Sequence, residues 1–287
     1  MVQLIDSDIK TTEVLGWKGV HVLHNPGSSC SQKLRIFLNL KEIPWESHLV
    51  DLRAHENFTP WFLGINPRGL VPVLVHDGVV HIESNDIITY LEKTFPAPKL
   101  IPPGFEQEVS ALLKHEDDLH LDLRTLSFRF VFDPHGPPKP AEALKVYAAN
   151  GSGTVQGVKD HDKAIQIEFW ERATKEGFPD EAARASAQKF RLEFNALDQR
   201  LAGAPFLLGE AISVLDIAWF IYANRLSLAG YPIARLHPRV GAWLDKLGAR
   251  PEFAKEVAAP PEVEERIKAT RRAHAQAGKS LEMVAGF

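Results

Sequence analysis

Apolar and polar positions alternate along the first hundred residues in a readable order. Gly19 to His24 (GVHVLH) is short and Val-rich, the pattern of a strand. Leu34, Phe37, Leu38 and Lys41 then mark one face at helical spacing, down to Glu42-Ile43-Pro44, where a helix must stop. Trp45 to Leu52 supplies a second strand, joined to the first through that helix as a parallel βαβ unit. Asn57 to Leu63 reads as a short helix, ended by Gly64 and an Asn66-Pro67-Arg68-Gly69 turn. Two further apolar runs, Val71 to Val75 and Val79 to Ile82, flank Asp77-Gly78 and predict a hairpin. Glu83-Ser84 opens a helix with Ile87, Ile88 and Leu91 on one face, up to Phe95-Pro96. The order β-α-β-α-β-β-α predicts a mixed four-stranded sheet, with residues 1–18 as a polar arm before it.

Pro96, Pro98, Pro102 and Pro103 with Gly104 form a stiff linker. The expected organisation is an arm over 1–18, a first domain over 19–97 and an all-helical domain over 98–287. Glu106 to Phe132 is helical in pattern, with Leu112, Leu113, Leu119, Leu123 and Leu126 available for a core. Asp133-Pro-His-Gly-Pro-Pro-Lys-Pro breaks it. Residues 133–180 then read as an insertion with one helix around Ile165 to Glu176, suited to lining or covering a substrate pocket. Asp180 to Leu201 places Phe190, Phe194, Leu197 and Leu201 on one face. Ser213 to Ala229 is almost wholly apolar, hence buried, with Ser213 and Asp216 spaced as a capping box. Residues 260–280 read as a solvated terminal helix.

The chain has 287 residues, 45% hydrophobic and 24% charged, with a net charge of −4. Those values fit a globular protein and ask for neither nucleic acid nor an anionic membrane as a partner. A single Cys rules out an internal disulfide framework and any multi-Cys metal site, and it suits the reducing cytoplasm. The first twenty residues lack the basic start and apolar run of a secretory signal, and no stretch is long enough to span a bilayer. Gly151-x-Gly153 has no preceding strand, so a dinucleotide loop is not expected. His115 and His120 stand five apart, the wrong spacing for a helical metal pair, and no metal site is expected.

Chemistry concentrates in Asn25-Pro26-Gly27-Ser28-Ser29-Cys30-Ser31-Gln32-Lys33, between the first strand and its helix. One serine suffices to cap a helix; three beside a thiol exceed that need. Backbone N–H groups and the dipole at such a terminus favour a thiolate or another anion. Pro72 at the mouth of a strand cannot donate to the ladder. It is either a cis proline that leaves the Val71 backbone free to pair with an added extended chain, or an ordinary trans proline at an edge.

These residues resemble the cytosolic glutathione S-transferase family, whose first domain is thioredoxin-like. Ser28-Ser29-Cys30-Ser-x-Lys-x-Arg resembles the zeta class and the related glutathione-dependent reductive dehalogenases. Asn66-Pro-Arg-Gly-Leu-Val-Pro72, Glu83-Ser84, Ser213-Val-Leu-Asp216 and the stretch from His237 to Phe253 resemble further motifs of the family in the same order. The resemblance implies glutathione as co-substrate and a homodimer. It implies Ser28 as donor to the glutathione sulfur, with Cys30 as a second catalytic residue. Cys30 either supports the thiolate or isomerisation, forms a mixed disulfide with glutathione, or is an inert packed thiol. Ser29, Ser31, the Val71 backbone before Pro72, Glu83 and Ser84 would hold the tripeptide, with His55 at its glycyl end. Arg124 and Phe128 would face a small hydrophobic electrophile, although an ion pair of Arg124 with Asp117, Asp118 or Asp122 serves that arginine equally well. The activities implied are conjugation or aryl-ether cleavage, reductive dehalogenation, or isomerisation of a dicarboxylic acid. A non-catalytic binding protein that keeps the fold is the remaining alternative.

Overall fold

The computed structural model describes residues 2–132 and 139–287, whose contacts form two compact units: 2–98 with 139–177, and 99–132 with Phe178–Phe287. In the first unit the chain runs β1 (Val2–Gln3), β2 (Val20–His24), α1 (Ser29–Leu40), β3 (Glu46–Leu49), α2 (Pro60–Leu63), β4 (Val73–His76), β5 (Val79–Ile82) and α3 (Ser84–Thr94). The helices α4 (Glu106–Asp118) and α5 (His120–Phe130) belong to the second unit. The chain then returns to the first with α6 (Ala141–Ala149), a small hairpin of β6 (Thr154–Val155) and β7 (Val158–Lys159), and α7 (Asp162–Glu176).

The sheet order is β1-β5-β4-β2-β3. β2 and β3 are parallel, with His21 opposite Glu46, while β4 runs antiparallel to both β2 and β5. The expected four strands are all present. The polar arm is not: Val2 and Gln3 pair with Ile82 and His81 as a fifth strand. Leu4, Ile9 and Val14 enter the same core as Leu23, Val73, Val75, Val80 and Ile82. Those three residues stand five apart, a spacing that belongs to neither helix nor strand, because 3-10 turns at Asp6–Asp8 and Thr12–Gly16 interrupt the segment between and around them. Gly78 is required where this segment meets the hairpin: its φ is +80°, and a Cβ there would lie 2.2 Å from the Leu15 carbonyl oxygen.

The insertion also departs from expectation. Residues 139–177 pack with the first unit, not the helical one, and Val155 joins the sheet's core. The fully buried Asp8 accepts hydrogen bonds from Thr154 Oγ1 (2.7 Å), the Gln156 and Gly157 amides (2.7 and 3.1 Å) and the Ile5 amide (3.2 Å). Burial works to raise the pKa of Asp8, but these donors outweigh it and hold the carboxyl below its ordinary value. The helix α6 was missed because its short Ala-rich run lies between a proline cluster and Asn150-Gly151. Of the expected break at 133–140, residues 133–138 lie outside the described part of the chain.

The second unit contains, after α5, the helices α8 (Asp180–Arg200), α9 (Val214–Ala229), α10 (Ile233–Leu236), α11 (Pro238–Gly248), α12 (Pro251–Val257), α13 (Pro261–Gln276) and α14 (Leu281–Ala285). α9 is buried nearly all round, and α4, α5 and α11 pack on it. Its start is the predicted capping box: Asp216 accepts from the Ser213 amide and hydroxyl (2.9 and 2.6 Å), and from Leu207 N–H and Trp243 Nε1 (2.9 Å each). The single helix expected over 106–132 is two, interrupted at Leu119, where φ and ψ are −90° and 1°. α13 buries no residue, in keeping with its charge pattern. No helix of the described residues is long and apolar enough to cross a membrane.

His81 on β5 stacks on Tyr90 at 3.9 Å and is buried. Burial above all, with His76 adding to it, pushes its imidazole down to about 4. It is therefore neutral in the folded chain and binds a proton more readily when unfolded. Stability is complete above pH ~6.5 and falls as pH drops toward 4, by about 3 kcal/mol in all at ~1.4 kcal/mol per pKa unit. Urea titrations across that window measure the slope, and His81→Leu is expected to remove most of it.

Candidate active site

The last residue of β2, His24, is followed by an Asx turn in which Asn25 Oδ1 accepts the Gly27 amide (2.9 Å). Asn25 Nδ2 ties the turn to the Val50 carbonyl (2.9 Å). Arg35, in the second turn of α1 and buried, donates to His24 Nδ1 (3.1 Å) and to the carbonyls of Asn25 and Pro26 (3.2 Å each). With Nδ1 accepting, His24 Nε2–H donates to Ser47 Oγ (2.7 Å). One guanidinium thus holds strand end and turn together.

Ser28 is the N-cap of α1. Its Oγ accepts the Ser31 amide at 3.3 Å, which uses a lone pair and leaves its proton free to donate outward. Ser28, Ser29 and Cys30 are half-buried at the helix start. Ser31 is fully buried, and its Oγ accepts the Asn25 amide (3.4 Å). Its hydroxyl serves the turn, which removes it from the ligand-contacting set the sequence suggested. The first turn of α1 holds no acidic residue to offset the partial positive charge of the helix start.

A second helix start lies in the same unit. Glu83 precedes α3 with φ +66° and ψ 114°, a left-handed backbone that costs a glutamate energy and recurs at functional sites. Ser84, the first residue of α3, is buried. α1 and α3 run parallel and are linked at both ends. The fully buried Lys33 donates to Asn85 Oδ1 (2.9 Å), and the buried Lys41 pairs with Glu92 (2.5 Å). Both N-termini are thereby held at one end of the helix pair. The Val71-Pro72 peptide is cis, which settles the alternative the sequence left open.

The insertion braces the loops around these positions, and the sequence did not reveal it. Arg68 pairs with Glu83 (2.6 Å), Asp160 (2.8 Å) and Asp162 (2.6 Å). Burial opposes the Arg68 charge, but Glu83 and Asp160 outweigh it and hold the guanidinium ionised. Tyr147 OH donates to the Arg68 carbonyl (2.5 Å), and its ring stacks on Phe58 at 4.2 Å. His55 stands at φ +59°, with Lys139 Nζ donating to its Nδ1 (3.1 Å) and to the Leu52 carbonyl (3.1 Å). Burial first, and Lys139 next, lower the His55 pKa. The one cue in the sequence was the acidic-basic run Lys159 to Lys163, which had no obvious partner.

In the second unit Arg124 and Phe128 lie half-buried on α5, and the Phe128 ring meets Phe132 and Phe178 (centroids 5.0 and 6.1 Å apart). Two of the acids considered for Arg124 have other cations: Asp122 accepts from Lys189 and Ser186, and Asp118 from Lys114. His115 pairs with Glu193 (2.8 Å) and His120 with Tyr222 OH (3.1 Å).

A model of the glutathione S-transferase N-terminal domain matches residues 27–94, and one of the C-terminal domain matches residues 180–246. Protein LigF of Sphingobium sp. strain SYK-6 is 30% identical over 241 residues, 79% of this chain and 88% of LigF. The chain belongs to the glutathione S-transferase family. Glutathione is the co-substrate of that family. The crystal structure of the beta-etherase LigF covers 83% of this transferase and 98% of its own chain, with a TM-score of 0.69 and 27% identity. Over shorter stretches the transferase is similar to the zeta-class enzyme of Euphorbia esula (47% over 81 residues) and to maleylpyruvate isomerase of Ralstonia sp (41% over 87). Those two alignments span 28% and 30% of this chain, and only 36% and 41% of the relatives' own lengths. The bracing segment 139–177 falls between the two matched domains of this transferase.

Arg35→Met removes the donor shared by His24, Asn25 and Pro26. Denaturant unfolding is expected to show a loss of about 2–3 kcal/mol. Arg35→Lys should recover only a fraction, since one ammonium cannot reproduce the forked geometry.

Proposed function

We propose that this protein is a glutathione transferase that holds the tripeptide as a thiolate at the start of α1 and directs it at a small, hydrophobic, aromatic electrophile. The Ser28 cap carries the reading. Its oxygen is occupied by the Ser31 amide, and its proton is left to donate to a sulfur at an unneutralised helix terminus. The Val71 backbone before cis-Pro72 offers strand-like pairing to the cysteinyl part of glutathione. The strained Glu83 and the amide end of α3 at Ser84 suit the γ-glutamyl group, with Arg68 fixing the Glu83 carboxylate. Ser29 adds a hydroxyl beside the sulfur, and the His55–Lys139 pair offers a cation to the glycyl carboxylate. Arg124 and Phe128 are assigned to the electrophile by resemblance alone.

The similarity to LigF along most of both chains favours ether cleavage within this class. The glutathione sulfur would attack the carbon bearing the ether oxygen, a C–S bond would form as the C–O bond breaks, and the aryloxide would leave and take up a proton. The proposal includes a homodimer in the cytoplasm. A second reading, covalent use of Cys30 in dehalogenation or its assistance to isomerisation, rests on the half-buried thiol two residues from Ser28 and on the shorter similarity to the isomerase.

Turnover of a panel of aryl ethers and aryl halides separates the two readings. Ser28→Ala is expected to lower kcat/KM by one to two orders of magnitude, the worth of about 1.5–3 kcal/mol for a hydrogen bond to a charged group. Cys30→Ser should leave turnover within about twofold. The reverse pattern overturns the Ser28 assignment in favour of the thiol. Asp160→Ala, which releases Arg68 and with it Glu83, is expected to raise the KM for glutathione about tenfold with little change in kcat.

A further inference from the structure

We infer that His21, Glu46 and His48 form a binding site for one divalent transition-metal ion of the zinc class. Parallel pairing of β2 with β3 sets His21 opposite Glu46, and His48 follows two residues on, on the same face of the strand. His21 Nδ1 and His48 Nε2 are 3.0 Å apart, and the Glu46 carboxylate oxygens lie 3.5 Å from His21 Nδ1 and 3.7 Å from His48 Nε2. A tetrahedral zinc ion with metal–ligand bonds of about 2.0–2.1 Å needs ligand atoms roughly 3.3 Å from one another. The three atoms already stand near that spacing before any ion is bound.

Two independent features orient the set. His21 Nε2–H donates to the Lys18 carbonyl (2.8 Å), which fixes the tautomer and turns the Nδ1 lone pair toward the other two groups. Anchoring the distal ring nitrogen on a backbone carbonyl is the arrangement that metal-bound histidines adopt. Trp17 lies against both rings, stacked on His48 at 4.4 Å and tilted on His21 at 4.8 Å, and walls one side. His21 is buried, His48 half-buried and Glu46 exposed, so one side stays open for the ion to enter and for a water to complete the coordination. Without metal, His48 Nε2–H donates to His21 Nδ1; binding shifts that proton to His48 Nδ1 and frees the second lone pair. Two imidazoles and one carboxylate suit zinc and its first-row neighbours better than magnesium or calcium. No short motif announces the site because its halves are twenty-five residues apart and meet only through strand register. None of the three residues belongs to the proposed glutathione site. A bound ion would clip the edge strand β3 to β2.

The test is equilibrium dialysis of the chelator-stripped full-length protein against Zn2+, with metal measured by mass spectrometry and Co2+ used as a spectroscopic probe. The expected result is one retained ion per chain, the visible absorption of four-coordinate cobalt, and a raised Tm. The retained ion and the cobalt absorption should be lost in His48→Gln, and metal affinity weakened about tenfold in the surface variant Glu46→Gln, while Cys30→Ser keeps both. No retained ion in the wild-type chain overturns the proposal. So does an ion that His48→Gln and Glu46→Gln both keep unchanged.

Discussion

The start of one helix, and the use of its capping hydroxyl, is the constraint on which the proposed function of this structure depends. An N-cap serine normally ends its work once it has accepted an amide from the first turn. Here that acceptance leaves the O–H available to donate, at a terminus whose partial positive charge no acidic residue of its first turn offsets. Everything nearby keeps that terminus in place. Arg35 gathers the end of β2 and the turn, Asn25 ties the turn to Val50, and Lys33 couples α1 to the first turn of α3. Because α1 and α3 are parallel and linked at both ends, their N-termini stand at the same end of the pair, as the proposed binding of one sulfur and one α-carboxylate requires.

The insertion changes how that frame is stiffened. A carboxylate from the segment after the hairpin reaches Arg68, and Arg68 reaches Glu83, the residue with the strained backbone at the start of α3. A tyrosine from α6 caps the same turn through its carbonyl. Charges held this way are shielded from water more than surface pairs are, and they orient a side chain more than they stabilise the fold. Segment 139–177 therefore acts on the elements of its own unit that the proposed function assigns to the tripeptide.

Much of this was legible from residue pattern. The strand before Asn25, the hairpin at Asp77-Gly78, the proline at 72, the box at Ser213 and Asp216, and the solvated helix near the C-terminus all follow local rules of spacing and turn chemistry. What escaped depends on contacts between distant parts of the chain. Residues 2–16 carry apolar side chains at a spacing with no period, so their role as a fifth strand and two core-filling turns appears only with β5 and Gly78 in place. Ser31 looked equivalent to its neighbours, yet helix geometry turns it inward. Lys139 and Tyr147 gave no signal, and the charged run around Asp160 pointed to no partner, because the residues they meet lie 79 to 92 positions away. The candidate site was legible where polar residues are concentrated in consecutive positions, and hidden where register or a returning segment brings residues together.

The ionisation of bound glutathione tests the account most directly. Ultraviolet titration of the thiolate in the binary complex, compared between the wild-type chain and Ser28→Ala, reads it without any electrophile. The account predicts a thiol pKa one to two units below the free value of about 8.5 in the wild-type complex, returning toward that value when the hydroxyl is removed. A bound thiol as weakly acidic as the free tripeptide, or one unchanged by loss of Ser28, would contradict it.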